Sequence, residues 1–170
     1  MTAAAVLVGT DAFFRAFEGA PVLETVLAQQ PRALAGARGV IRRAHEAARI
    51  AAAFAIPRRE DHVAGVQLAA LLHGFVDILL WYAASPHATQ IASLQAGAAL
   101  HEAEVQRAVM GVGLATHGDT LMQRWGLPEA VRVMAYHPRD AGIPGRTVAL
   151  AVQLARHLAN GWSDAALPED

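Results

Sequence analysis

The stretch between Pro31 and Pro57 constrains the fold of this chain most strongly. Proline is tolerated in the first turn of a helix and stops a helix that reaches it, so the two prolines bound a helix predicted over residues 33–56. The small side chains of this helix are Ala47, Ala48, Ala51, Ala52, Ala53 and Ala55. Because small residues let helices approach closely, we expect this surface to pack inside a core rather than against a second copy.

The remaining chain also has the composition of helices. β-Branched residues are scattered and never alternate with polar residues over the length of a strand. Asp11 can cap a first helix that places Phe14 and Phe17 on one face, and Pro21 begins a second helix that runs to about Gln29. Further helices are predicted over residues 63–72, 75–83, 86–96, 101 to 111 or 113, and 145–160. The expected fold class is all-α, a single orthogonal helical bundle over residues 1–170.

A turn between two late helices is predicted at residues 125–129, Trp-Gly-Leu-Pro-Glu. Gly126 suits the position just after a helix, because glycine accepts the left-handed backbone conformation found there. Pro128 suits the first turn of the following helix. Trp125 and Leu127 are expected to bury against both helices.

Length and composition exclude several classes of protein. A chain of 170 residues with 54% hydrophobic and 17% charged residues can bury a core without metals or disulfides. Its 14 basic residues are all arginine and are balanced by 15 acidic ones, so the net charge of −1 does not favour nucleic acid. The chain has no cysteine, which fits the cytoplasm, and residues 1–9 lack the basic segment of a signal peptide.

An apolar stretch over residues 63–84 approaches the roughly 20 residues that cross a bilayer. His73, Gly74 and Asp77 lie in its middle. Polar groups there would be costly in lipid, whereas two short helices buried in a protein core could satisfy their hydrogen bonds. We therefore predict two core helices and no membrane partner.

The usual signatures of hydrolases and transferases are absent from the sequence. None of the serines lies in a nucleophile elbow, and a chain without lysine lacks the ordinary phosphate-binding loop. His45-Glu46 and His101-Glu102 begin like a zinc-protease helix, but Arg49 and Val105 stand where the second histidine should be. No catalytic residue is predicted.

His73 and Asp77 lie four residues apart and can meet on one face of a helix. The pair could ligate a metal ion or form a hydrogen-bonded histidine and carboxylate. In apolar surroundings, a core histidine with satisfied hydrogen bonds is the more frequent case. Since two ligands alone do not make a catalytic metal site, neither a metal ion nor a cofactor is predicted.

Several segments carry recognisable motifs. Residues 69–75, Ala-Ala-Leu-Leu-His-Gly-Phe, are similar to the "GLLHD" segment of HD-superfamily proteins, and residues 125–129 resemble the "W-x-LP" signature of the HDOD branch. Residues 154–157 and 161–168 are similar to the tail of a proteobacterial HDOD subgroup. The chain thus resembles the HDOD family over nearly its whole length. Family members usually carry a further N-terminal helical lobe, so the chain either lacks that lobe or is a fragment.

The resemblance also implies a metal site, which this sequence does not complete. Active HD phosphohydrolases hold a divalent metal ion with a histidine, a His-Asp doublet and a distant aspartate. Here the doublet is His73-Gly74, the first histidine position falls at Arg43 or His45 depending on register, and the late aspartate position is Arg156. These changes remove negative charge where a cation would need it.

Two further family positions are altered. The histidine of the family's H-x-x-x-G element aligns with Leu114, although Gly118 is retained. The family's His-His pair aligns with Tyr136-His137. The sequence is therefore degenerate even for its family.

The resemblance implies a non-catalytic regulatory domain of bacterial signal transduction that acts through protein contacts. A vestigial pocket at the lost metal site would be lined by His45, His73, Asp77 and His137. A small molecule or an anion bound there could bias the surrounding helices.

Two alternatives remain open at this point. A residual phosphohydrolase acting on a nucleotide or cyclic dinucleotide would need His45, His73, Asp77 and His137 as a rebuilt ligand set. A structural oligomerisation module would instead pack the alanine-rich helix over residues 33–56, or the phenylalanine-rich N-terminus, against a second copy as a homodimer.

Overall fold

The computed structural model describes residues 10–15, 18–60, 62–97 and 102–160. Every regular element in these ranges is a helix, so the predicted all-α class is confirmed. The helices are α1 (Thr10–Arg15), α2 (Leu23–Val26), α3 (Pro31–Ala55), α4 (Val63–Leu72), α5 (Phe75–Ala83), α6 (Ser85–Gly97), α7 (Glu102–Met110), α8 (Leu114–Arg124), α9 (Glu129–Tyr136) and α10 (Gly142–Asn160). The predictions on the shared face of Phe14 and Phe17, on His101 and on residues 161–168 fall outside what the structure describes.

The long helix α3 lies at the centre of the bundle. It begins at Pro31 and ends two residues before Pro57, as the positions of the prolines predict. Its main neighbours are α10 and α4, followed by α5. The side chains that it buries recur every three or four residues, and they are Ala33, Ala37, Val40, Ala44, Ala47, Ala48, Ala51 and Ala55. Of the six alanines predicted to pack in the core, Ala47, Ala48, Ala51 and Ala55 do so, and small residues there bring the helix axes close together. The prediction is wrong for the other two, because Ala52 is half-buried and Ala53 is exposed.

Two hydrophobic clusters fill the interior. The larger one joins residues of α3 to those of α4 to α10, with Val66, Met122 and Val148 almost completely buried. The smaller one seats Leu27 beside the start of α3 and against Trp81. Gly36 faces that tryptophan, and a Cβ atom there would overlap the ring. A glycine is thus required for the close approach of α3 and α5.

The second predicted helix is shorter than expected. Only Leu23–Val26 is helical, and the chain turns before Gln29. Leu27 is completely buried at that turn. A short helix is only marginally stable by itself, so the burial of this side chain decides where the helix ends. Asp11 lies in the first turn of α1 rather than before it.

At the turn between α8 and α9, the predictions for the backbone are confirmed and the one for Trp125 is not. Gly126 adopts a positive φ of 69°, as expected for a residue that ends a helix, and Pro128 directly precedes α9. Leu127 packs on the main cluster. Trp125, however, is 56% exposed, so the expectation that it buries against both helices is wrong. Its ring meets the Phe75 ring edge-on at the surface, with the centroids 5.2 Å apart.

The apolar stretch Val63–Ala83 is long and apolar enough to cross a membrane by length and composition. The chain bends at His73-Gly74, so α4 and α5 are two helices, as predicted. Only 22% of its most apolar window is buried, and Leu68 and Tyr82 are exposed. The two helices are therefore less enclosed by the bundle than the sequence led us to expect.

Candidate functional site

A small pocket lies where α3, the α4–α5 bend and α10 meet. Its volume is about 40 Å³. The residues that line it, here called the arginine pocket, are Val40, Arg43, Ala44, Ala47, Ala70, His73, Gly74, Asp77, Val152 and Arg156. A volume of this size holds on the order of one water molecule or one small ion, whereas pockets for drug-sized ligands measure several hundred Å³. A whole nucleotide does not fit.

Small residues bring the three walls of the arginine pocket together. Val40, Ala44 and Ala47 follow one face of α3 at helical spacing. Gly74 faces them from the bend, and a Cβ atom there would lie 3.1 Å from Val40 Cγ1 and 3.9 Å from Ala44 Cβ. A larger residue at position 74 would require the Val40 side chain to shift by a few tenths of an ångström. Gly74 therefore suits the close contact between the bend and α3.

His73 is fixed by the backbone of α9. Its Nδ1 lies 2.7 Å from the carbonyl oxygen of Ala135. A carbonyl oxygen only accepts hydrogen bonds, so Nδ1 carries a proton and donates this bond. Histidines that bind metal ions are often held in the same way, by a backbone carbonyl on the ring nitrogen that does not bind the metal. The hydrogen bond fixes the orientation of the His73 ring.

Tyr136 supports the same side of His73. Its ring stacks on the imidazole with the centroids 6.1 Å apart, and its hydroxyl donates a hydrogen bond of 3.1 Å to the carbonyl oxygen of Leu72. Burial raises the pKa of the Tyr136 phenol well above its usual range, and the negative charges of Asp77 and Asp119 add to the increase. The phenol is therefore a neutral donor and does not serve as a base at neutral pH.

Gly118 makes room for that tyrosine. A Cβ atom at this position would overlap the end of the Tyr136 ring. This contact explains why α8 needs a glycine at position 118. Leu114, at the position where the resemblance implies a histidine, is buried in the core. Both residues serve packing.

The structure brings together two of the four residues that the sequence assigned to a vestigial pocket. His73 and Asp77 line the arginine pocket, whereas His45 and His137 do not. His45 is exposed on α3, and its Nδ1 lies 2.9 Å from the carbonyl oxygen of Ile41. The His137 side chain is 47% exposed, and its Nε2 lies 3.8 Å from an Asp119 oxygen.

Arg43 and Arg156 complete the pocket, although the sequence assigned neither to its lining. Positions 43 and 45 are two residues apart, so they point in directions about 200° apart around a helix. Arg43 follows Val40 by three residues and therefore shares the buried face of α3. That spacing was the signal that could have selected Arg43 over His45. Arg156 comes from α10, and only the tertiary fold brings it to α3.

The charges of the arginine pocket do not suit a divalent cation. Two guanidinium groups line it together with the single carboxylate of Asp77, which leaves one net positive charge when His73 is neutral. Among the residues that the structure describes, no group of three or more histidine, cysteine, aspartate and glutamate side chains could hold a metal ion. The residues present therefore do not fit the metal site that the HD superfamily implies.

A larger, shallow groove of about 450 Å³ lies between the start of α3 and the start of α6. Its polar groups bond to one another, since Ser85 Oγ donates to Gln30 Oε1 at 2.6 Å and Thr89 Oγ1 donates to the Ser85 carbonyl at 2.8 Å. Arg32 is the one charged residue in its lining. Neither a histidine nor an acidic side chain lines the groove, so its two hydroxyl groups have no neighbouring general base in the lining.

A helical bundle with a histidine held at the bend between two apolar helices is the architecture expected of an HD-related output domain. The family model of the HDOD domain matches residues 1–140. The chain therefore belongs to the HDOD family, as its motifs indicate. The match ends before α10, so it includes Arg43, His73 and Asp77 but not Arg156. No curated protein and no solved structure matches the chain.

Proposed function

We propose that this HDOD domain is a non-catalytic, cytoplasmic regulatory module of bacterial signal transduction that acts through contacts with other proteins. The observation that carries the proposal is the composition of the arginine pocket. Arg43 and Arg156 line it. The family resemblance implies an aspartate at the position of Arg156, and it implies the first histidine at the position of Arg43 or of His45, depending on register. The position after His73 is Gly74, which supplies no ligand atom from a side chain.

Two arginines oppose metal binding more firmly than the loss of ligands alone. A guanidinium group stays protonated at any pH at which the protein folds, so its charge does not disappear on metal binding as that of a histidine does. Repulsion between like charges is strong in a half-buried pocket, where the effective dielectric constant is lower than in water. In active HD phosphohydrolases the metal ion activates the attacking water, and the two arginines disfavour that ion here.

An aromatic surface supports the proposed protein contacts. Phe75 and Tyr82 lie seven residues apart on the same face of α5, and Trp125 packs on Phe75. Tyr82 is 42% exposed and Trp125 is 56% exposed. Tyrosine and tryptophan are enriched in protein interfaces, because they offer a large apolar area together with a polar group.

The two alternatives have less support. The rebuilt ligand set of a residual phosphohydrolase would need His45 and His137, which lie outside the arginine pocket. An oligomerisation module built on the alanine surface of α3 would need Ala47, Ala48, Ala51 and Ala55, which are already buried against neighbouring helices.

Metal content is the measurement that tests the proposal. The protein, purified without chelator and without a metal-affinity tag, is exposed to manganese, iron, nickel and zinc and then analysed for bound metal. We expect far less than one ion per chain, because the pocket lacks the anionic ligands that offset dehydration of a divalent cation. About one tightly held ion per chain would contradict the proposal, and a screen for nucleotide hydrolysis would follow.

A restored variant provides the positive control. The triple substitution Arg43→His, Gly74→Asp and Arg156→Asp places the family's ligand types in the same pocket. We expect it to gain at least tenfold in metal content over the wild-type protein, since it replaces two positive charges with an imidazole and a carboxylate and adds a second carboxylate. Circular dichroism checks that the crowded aspartate at position 74 leaves the helices intact.

A further inference from the structure

We infer that the arginine pocket is a binding site for a single small oxyanion, a carboxylate or phosphate group held between Arg43 and Arg156. This inference rests on the proposed function, because it takes the pocket to be without a divalent metal ion. It goes further by naming the chemical class of ligand that the altered residues would bind. The occupant would be a small ion and not a nucleotide.

The charge balance of the pocket favours an anion. Arg43 and Arg156 each contribute a positive charge, and Asp77 contributes the one negative charge in the lining. All three residues are half-buried, so water screens their charges less than it would at an open surface. One further negative charge would bring the pocket to neutrality.

The shape of the guanidinium group favours the same ligand. Carboxylate and phosphate oxygens match the planar fork of arginine in a bidentate arrangement. Two such forks line one small space, from α3 and from α10.

The size and walls of the pocket limit what can enter. Its volume of about 40 Å³ admits one small group. The uncharged walls are small and apolar, and they are formed by Val40, Ala44, Ala47, Ala70 and Val152. These walls strengthen the attraction between arginine and anion, because they displace water from around the ions.

Such a ligand would connect two helices of the fold. Arg43 belongs to α3 and Arg156 to α10. An anion bound to both arginines would stabilise the arrangement in which α3 and α10 approach the bend, since a ligand favours the state that binds it. The concentration of a small anion could thus be read out as a change in the surface of the bundle.

Binding is tested with sodium phosphate and, separately, sodium formate, each titrated at constant ionic strength with sodium chloride. Thermal unfolding and isothermal calorimetry measure the response. We expect a saturable rise in Tm for the wild-type protein and at least a tenfold weaker affinity for Arg43→Gln and Arg156→Gln. The Asp77→Asn variant should bind more tightly, because it removes the competing negative charge. The arm with the tighter binding identifies phosphate or carboxylate as the preferred group.

Matched controls lie on the same helices. Arg42 on α3 and Arg146 on α10 are exposed, so Arg42→Gln and Arg146→Gln should keep the wild-type affinity. If a glutamine variant unfolds, as circular dichroism would show, Arg43→Lys and Arg156→Lys keep the charge but lose the fork and should still bind more weakly.

Two results would overturn the inference. A Tm shift of equal size in the wild-type protein and in the folded arginine variants would mean a general salt effect. No response of the wild-type protein to either anion would mean that the arginines serve contacts within the chain only. A metal-free protein that binds no anion would leave the proposed regulatory role intact, whereas a protein loaded with metal would remove both proposals.

Discussion

The two sides of His73 are held in different ways. On the α9 side, directional hydrogen bonds connect the bend to the backbone, from His73 to Ala135 at 2.7 Å and from Tyr136 to Leu72 at 3.1 Å. On the α3 and α10 side, charged side chains surround a space of about 40 Å³. The first side fixes the histidine as a metal site would, and the second side lacks the charges that a metal ion needs.

This difference separates contacts to the backbone from contacts between side chains. The hydrogen-bond acceptors on the α9 side are backbone carbonyls, which remain when side chains at other positions change. The properties of the α3 and α10 side depend on the side chains that line the pocket. Substitutions on the α9 side should therefore cost stability, and substitutions on the pocket side should mainly change ligand binding.

Gly118→Ala should have the largest effect on the α9 side. The added methyl group would overlap the Tyr136 ring and force it away from His73 and Leu72. Overpacking of this kind costs about 3 kcal/mol in free energy of unfolding. Gly113→Ala is the matched control at the start of α8, because a Cβ atom there meets nothing within 4 Å. Equal urea midpoints for the two variants would mean that the ring moves away without cost.

His73→Ala should have the next largest effect. It leaves the buried carbonyl of Ala135 without its donor and removes the stacking contact with Tyr136. We expect a loss of about 2 kcal/mol in urea denaturation, typical of a buried acceptor left unpaired. The exposed His62, which makes no capping hydrogen bond at the start of α4, is the control, and His62→Ala should change little. If the His73→Ala protein keeps wild-type stability and wild-type anion binding, His73 contributes neither to the stability of the α9 side nor to binding in the pocket.

Tyr136→Phe should cost about 1 kcal/mol at neutral pH, because it removes one hydrogen bond to the carbonyl of Leu72. It should also change the dependence of stability on pH. The folded protein raises the pKa of this phenol, chiefly by burial, so the folded state holds the proton more tightly than the unfolded chain. The contribution of the Tyr136 phenol to stability is therefore complete below pH about 10 and decreases as the pH rises above that value.

Denaturation measured between pH 8 and pH 11 checks this sign. The wild-type protein should lose stability over the alkaline part of the range, and Tyr136→Phe should lose less. Tyr82→Phe, at an exposed position, should retain the wild-type decline. A decline of the same steepness in all three proteins would assign it to other groups.

The sequence was sufficient for most of the fold, because proline and glycine act locally. Pro31, Pro57 and Gly126 mark helix boundaries that the structure reproduces within two residues. The sequence failed where a distant contact overrides local preference. Leu27 is buried and ends a helix early, whereas Trp125 packs on Phe75 at the surface. Neither outcome follows from spacing along the chain.

The site was predictable only in the part that belongs to one segment. His73 and Asp77 are four residues apart, and both line the pocket. Arg156 reaches the pocket through the packing of α10 on α3, which no local pattern encodes. The acceptor of the His73 proton is a backbone atom of Ala135, and backbone atoms carry no residue-type signature. For these reasons the sequence assigned His45 and His137 to the pocket, whereas the structure places Arg43 and Arg156 there.

The smallest effects are expected for His45→Ala and His137→Ala. These variants test whether the two histidines lie outside the binding site. Both side chains are exposed, and the contact of His137 with Asp119 is a surface interaction of 3.8 Å. Each substitution should change the free energy of unfolding by less than about 0.5 kcal/mol and leave the phosphate and formate responses unchanged. A loss of anion binding in either variant, at unchanged stability, would mean that the histidines assigned from the sequence do reach the ligand. The arginines would then not be sufficient to define the pocket.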